Sequence, residues 1–270
     1  MKVDLSADLG ESFGRWKLGC DEDLLQYLSS ANVACGFHAG DPMVMRKTVR
    51  LAVRHGVRVG PHVGFPDLMG FGRRVMGVTP DEHLNYALYQ GGALQAIARS
   101  EGAVLQHFTW HAHAGYANYR DEALARASAQ AVALLDPSLI IPVIDGPKGL
   151  LLQREAGLLG LKVVKKFFAD REIDADGGLV PRATAGSVIT DAERCADRVL
   201  RVVMEGKVRS FEGTDLDVDA KTIVLHGDTP GGVEMARIVR LRLEGAGVSI
   251  VPMSELPGVP VESGCMPSKS

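Results

Sequence analysis

The residues able to do chemistry in this 270-residue chain fall where short apolar runs end. Asp8 and Glu11 follow the run Val3–Ala7, His38 and Asp41 follow Asn32–Cys35, and His62 and Asp67 follow Val57–Gly60. Further on, His111 and His113 follow Val104–Thr109, Asp170 and Arg171 follow Lys162–Phe168, and His226 and Asp228 follow Thr222–Leu225. Imidazoles and carboxylates brought together can move protons, stabilise developing charge or ligate a divalent cation. A lone histidine at a strand end is more often a hydrogen-bonded structural residue, so the joint placement is what carries weight. His55 and His83, inside expected helices, and His107, deep in an expected strand, are left outside the candidate set.

Two other features bear on ligands. Phe71-Gly72-Arg73-Arg74 offers guanidinium groups suited to a carboxylate or phosphate, with surface salt bridging as the alternative. The glycine-rich turns at 35–42 and 225–232 either admit an anion at the helix start that follows or simply make tight turns. No GxxxxGK[ST] phosphate loop occurs, so nucleotide chemistry is expected to lie on another polypeptide.

The elements that must position these groups are repeated strand and helix units. Helical periodicity is expected near 20–30, 42–55, 80–101, 120–135, 147–158, 187–206 and 230–246, with Asp41-Pro42 and Thr79-Pro80 as cap-then-proline starts. Seven such units require parallel strands and suit a closed or nearly closed barrel, with Val248–Val251 available as an eighth strand. Strand parity puts Asp4, Ser6 and Asp8 on one face, facing the barrel axis, because that face is too polar to pack on helices. His107, Thr109 and His111 share a side of the fourth strand, and His226 and Asp228 a side of the seventh. One domain is expected over 1–252, with a flexible tail at 253–270 rich in Pro, Gly and Ser.

Composition narrows the function. Lys plus Arg of 30 against Asp plus Glu of 33, without a basic cluster, argues against nucleic acid and membrane surfaces and favours a small molecule. The start MKVDLSADLG lacks the apolar core of a secretory signal, and no apolar run reaches the roughly 18 residues of a membrane span, so a cytoplasmic protein is expected. Cys20, Cys35, Cys195 and Cys265 form no CxxC pair and read as reduced thiols.

Taken in order, Ala7-Asp8-Leu9-Gly10-Glu11, ACGFHAGDP at 34–42, His62 with Pro66-Asp67, GFGRR at 70–74, FADR at 168–171, LVPR at 179–182 and HGDTP at 226–230 resemble the LamB/YcsF (lactam utilization) family. The match runs from about residue 3 to residue 250. It implies an irregular seven-stranded parallel (β/α) barrel of the glycoside hydrolase/deacetylase kind. The family includes the A subunit of bacterial 5-oxoprolinase, so the resemblance also implies opening of the 5-oxoproline lactam to L-glutamate, with ATP used through partner subunits B and C.

In that frame the catalytic candidates are Asp8, His111, Asp170 and His226. The substrate-binding candidates are Glu11, Arg73, Arg171 and Asp228, and analogy to the related deacetylases makes Asp8, His38 and His62 a candidate set for a divalent metal. Two positions depart from the family pattern, Thr109 where members usually carry Lys and Ser6 where they commonly carry Asn. Alternatives are a stand-alone metal-dependent amidase or deacetylase and a non-catalytic barrel that has lost its chemistry with the lysine at Thr109.

Overall fold

The computed structural model describes residues 1–259. Its strands are β1 (Lys2–Leu9), β2 (Ser30–Ala34), β3 (Arg58–Val63), β4 (Thr109–Trp110), β5 (Ile140–Ile144), β6 (Lys162–Phe168), β7 (Lys207–Arg209), β8 (Asp215–Asp217), β9 (Thr222–His226) and β10 (Ser249–Ile250). Seven of them lie side by side in the order β4-β3-β2-β1-β9-β6-β5, all parallel. The two ends of this sheet meet at a single parallel bridge between His107 and Ile140, where the Phe108 N–H donates to the Ile140 carbonyl at 2.9 Å. The ring is therefore nearly closed and irregular at its fourth strand.

Around it lie α1 (Asp21–Leu25), α2 (Pro42–Arg54), α3 (Pro80–Ser100), α4 (Ala112–Arg120), α5 (Glu122–Leu135), α6 (Leu150–Leu158), α7 (Ala192–Glu205) and α8 (Gly232–Gly245). The expected caps form: Asp41 accepts from the Met43 and Val44 N–H groups, and Thr79 makes a capping box with Glu82. Each satisfies amide groups that the first helical turn leaves open.

Strand alternation works as the pattern requires. Leu5, Ala7 and Leu9 enter the apolar layer between ring and helices, together with Val33, Val49, Ile223 and Val239. Asp4, Ser6 and Asp8 point to the axis. Asp4, fully buried at the barrel floor, accepts from Ser29 at 2.8 Å, Ser30 at 2.5 Å and Thr222 at 2.5 Å. Burial outweighs these three donors and raises its carboxyl to about 6.

Several elements differ from the expectation. The eighth strand does not join the ring: β10 pairs only with the start of β1, Lys2 opposite Ser249 and Val3 opposite Ile250. The first helix is a single short stretch that ends at Leu25, because the chain turns there and β2 already begins at Ser30. Helix α4 and the antiparallel β7–β8 pair were not expected, since AHAGYANYR lacks a clear apolar stripe and the two strands are only three residues each. Packing also continues past residue 252. Met253 and Leu256 are buried against Ile140 and Val164, and Ser254 binds Gln106, which closes the barrel floor. Residues 260–270 of the expected tail lie outside the described residues.

Candidate active site

The carboxyl ends of the strands open into a cavity of about 340 Å³ lined by Ser6, Asp8, Asn32, His62, Lys166 and His226 among others. A pocket of this size at the rim of a parallel barrel suits a small ligand. Three groups of residues meet there.

The first group is Asp170 and His226. Asp170 is completely buried at the end of β6, and its two oxygens lie 2.8 and 3.1 Å from His226 Nδ1, while Thr229 donates to it at 2.6 Å. Burial opposes ionisation, but the imidazole and the hydroxyl win, and the carboxyl stays below its usual value. This fixes a proton on His226 Nδ1 and leaves Nε2 for the cavity, 3.9 Å from Asp8 Oδ2. Gly227 makes the pairing of the two rim loops feasible, because a Cβ there would sit 2.5 Å from the Asp8 carbonyl oxygen.

The second is Asp8 itself. Asn32 donates to its Oδ1 at 2.9 Å, and His62 Nε2 stands 3.4 Å from Oδ2. Burial pushes its pKa up, and His62, His226 and His111 outweigh that, so Asp8 is held well below the carboxylate range. Asn32 is fixed in turn by His107, which bonds its Oδ1 at 2.8 Å and so serves as a wall residue.

The third is a buried group of Glu11, His38, His62 and His111, whose donor atoms all lie within 4.8 Å of one another. Hydrogen bonds to the surrounding chain set the protons here. The Thr109 hydroxyl donates to the Pro61 carbonyl at 3.0 Å, so it accepts from His62 Nδ1 at 2.8 Å. His111 Nε2 donates to the Phe71 carbonyl at 2.8 Å. The remaining nitrogens, His62 Nε2 and His111 Nδ1, face each other at 3.1 Å as two lone pairs. That contact is favourable only with a shared proton or a cation between or beside them.

His38 adds to the same demand. It stacks flat on His111 with ring centroids 3.9 Å apart, and neither of its nitrogens has a hydrogen-bond partner. Glu11 Oε1 is likewise without one, 3.5 Å from His38 Nε2. Burial, with the neighbouring imidazoles, drives His38 and His111 well below the usual imidazole range, and burial beside Asp8 drives Glu11 up. Three histidines and a carboxylate, with two of the rings oriented by the Thr109 hydroxyl and the Phe71 carbonyl and with unsatisfied atoms pointed inward, fit a divalent transition metal.

The scaffold accepts strain to make this group. Among the described residues only Phe71 (φ 54°) and Ala112 (φ 35°) are non-glycine residues in the left-handed region; the first carries the carbonyl that accepts from His111 and the second follows His111 in the chain. Gly64 provides the space for His38: an added Cβ would lie 2.5 Å from His38 Nδ1. Gly64→Ala is expected to destabilise the fold by about 1–3 kcal/mol, read by denaturant unfolding, and to displace His38. Thr109→Val should lower kcat/KM about 10- to 100-fold by releasing the His62 proton lock, whereas Thr109→Ser stays near wild type. Thermal unfolding of both variants separates that loss from misfolding.

The remaining sequence candidates find other partners. Arg73 pairs with Asp228 at 2.6 Å and lies over the Phe71 ring, so these two form a strap across the rim. Arg171 is buried and donates to the Val180 and Ser187 carbonyls, bracing the 171–188 loop, and Asp170 pairs with His226 and Thr229 instead. The metal set expected from analogy named Asp8 with His38 and His62. In the structure Glu11 and His111 complete the donor group, and Asp8 touches it only through His62. The place an anion would take at the start of α2 is filled by the Asp41 carboxylate. Asn32 and Lys166 were missed. Both sit in strands at an inward parity, the one signal that points to them.

Fold and site together define a class. The LamB/YcsF family model matches residues 3–258, and the chain belongs to that family. It is 49% identical over 255 residues to the 5-oxoprolinase A subunit of Pyrococcus furiosus, covering 94% of this chain and 99% of that one. The protein of the same name from Pectobacterium atrosepticum is 43% identical over 256 residues, covering 95% and 98%. A crystal structure of the lactam utilization protein from Thermus thermophilus superposes with a TM-score of 0.87 at 46% identity, covering 93% of this chain and 99% of that one. No helix among the described residues is long and apolar enough to cross a membrane.

Proposed function

We propose that this chain is the lactam-opening component of an ATP-dependent 5-oxoprolinase, acting in the cytoplasm with partner subunits B and C that handle the nucleotide. The observation that carries the reading is the His226–Asp170 couple aimed at Asp8 across the rim cavity, in a chain related over nearly its whole length to proteins named as the A subunit of 5-oxoprolinase. Opening an unstrained lactam requires a polarised carbonyl, an activated water and a proton for the departing nitrogen. His226 Nε2 takes the proton of the water that attacks the carbonyl carbon and returns it to the nitrogen as the C–N bond breaks. Asp8, kept ionised, stabilises the imidazolium formed in between. Arg73 and Asp228 border the entrance.

Glu11, His38, His62 and His111 would hold a divalent metal ion, which when bound polarises the carbonyl and acidifies a water. Elemental analysis of protein purified without added metal tests this. Near-stoichiometric zinc, manganese or iron supports it, and trace content with activity unchanged by chelation overturns it. The activity itself is tested by following glutamate release from 5-oxoproline with and without ATP and the partner subunits. Turnover that needs neither ATP nor partners would favour a stand-alone metal-dependent amidase instead, and no turnover in any combination would refute the lactamase reading.

A further inference from the structure

Five cations line the cavity: Arg73, Arg120, Lys166, Arg171 and Arg182. Four of them are accounted for. Arg73 and Arg182 share Asp228, at 2.6 and 3.8 Å. Arg171 is occupied by backbone carbonyls, and Arg120 is exposed at the outer end of α4. Lys166 is only 7% exposed, and unlike the equally buried Arg171 it has, among the described residues, neither a carboxylate within ion-pairing distance nor a carbonyl that accepts from it.

Its position in the barrel is low. Lys166 stands opposite Thr222 on β9 and Ile144 on β5, whereas His226 lies four residues further up β9. The ammonium leans up the axis, 5.2 Å from the centroid of Phe168, the next inward residue of its strand. Pro142, Ile144, Val224 and Met253 add apolar wall to the same cavity. A buried ammonium with no carboxylate paired to it, and only the charge of Asp8 at longer range in the same cavity, is costly unless a ligand supplies negative charge beside it.

We propose that Lys166 is the anchor for an anionic group of the substrate, a carboxylate attached to the ring being opened. The inference rests on the lactam reading above. A ring entering carboxylate-first would place its acid on the cavity floor and its amide at the level of His226 and the histidine group. Burial lowers the ammonium to about 8, partly offset by Asp8, so it is still charged at neutral pH. The preference for an acid-bearing lactam over a plain one then resides in β6, and the rim arginines contribute to holding the entrance loops.

The test is a pair of ligands differing only in the carboxylate, 5-oxoproline and 2-pyrrolidinone, titrated calorimetrically into the full chain. Wild type should bind the acid at least about tenfold more tightly, the range of one charge-assisted hydrogen bond. In Lys166→Met that ratio should fall to about one, with the affinity for 2-pyrrolidinone unchanged, and Lys166→Arg should restore part of it. Unchanged binding of the neutral lactam shows that the variant cavity is intact. The proposal is overturned if wild type does not discriminate, if Lys166→Met keeps the preference, or if it loses both ligands equally. Lys166-dependent binding of 5-oxoproline without turnover in the reconstituted complex would leave the anchor standing and refute the lactamase reading alone.

Discussion

Asp170→Asn lowers kcat of lactam opening by about 10²- to 10⁴-fold without unfolding the protein. The carboxylate is completely buried and accepts from both His226 Nδ1 and the Thr229 hydroxyl. An asparagine of nearly the same shape keeps the oxygen for Thr229 but turns an N–H₂ toward the imidazole. His226 then has to accept at Nδ1, and its proton moves to Nε2, the atom that faces Asp8 and the cavity. The base is present but in the wrong tautomer, the situation in which an orienting carboxylate shows its value. KM should move far less than kcat. A fall in activity that merely tracks a fall in melting temperature would instead assign Asp170 a structural role.

Acid destabilises this fold, by roughly 2–4 kcal/mol between pH 7 and pH 5.5. Four buried imidazoles, His38, His83, His107 and His111, are held below their usual value chiefly by burial, His83 to about 4 and His107 to about 3. Unfolded, each titrates near 6.5, so below that pH the unfolded chain takes up protons that the folded chain does not. Stability from these groups is complete above the unfolded value and is lost as pH falls toward the folded one, about 1.2 kcal/mol per histidine over this interval.

Asp4 works the other way. Its carboxyl is raised to about 6, so its contribution is present below the unfolded value and lost as pH rises through 6. It returns about 0.8 kcal/mol over the same acid interval, and Glu11, also raised, offsets in the same direction. Denaturant unfolding at the two pH values, with a chelator present at both, gives the number. A flat or inverted profile would show that these histidines are not neutral in the folded protein.

Strand parity carried most of what could be read in advance. Asp4, Ser6 and Asp8 had to face the axis because no helix layer could cover them, and the polar residues at the strand ends had to meet on one rim. Periodicity gives a face, however, and neither a distance nor a partner. Glu11 sits in the loop after β1, and only folding shows that it reaches His38 and His111. Arg73 and Arg171 look alike in sequence as anion binders, yet one closes on Asp228 and the other on carbonyl groups. Lys166 is hidden by its neighbour: Lys165 points outward to Asp145, so the pair reads as surface charge until the register is known. Thr109 takes on meaning only as the acceptor that fixes the His62 proton.

In the proposed function the rim histidines and acids form one hydrolytic site. Its most direct test is ATP-dependent release of L-glutamate from 5-oxoproline by the complex reconstituted with subunits B and C, comparing the wild-type chain with His226→Ala. Sustained turnover is expected with the wild type and, with the variant, a rate lower by about 10²-fold or more at equal complex assembly. Equal rates from the two chains would place the chemistry elsewhere and contradict the proposed function.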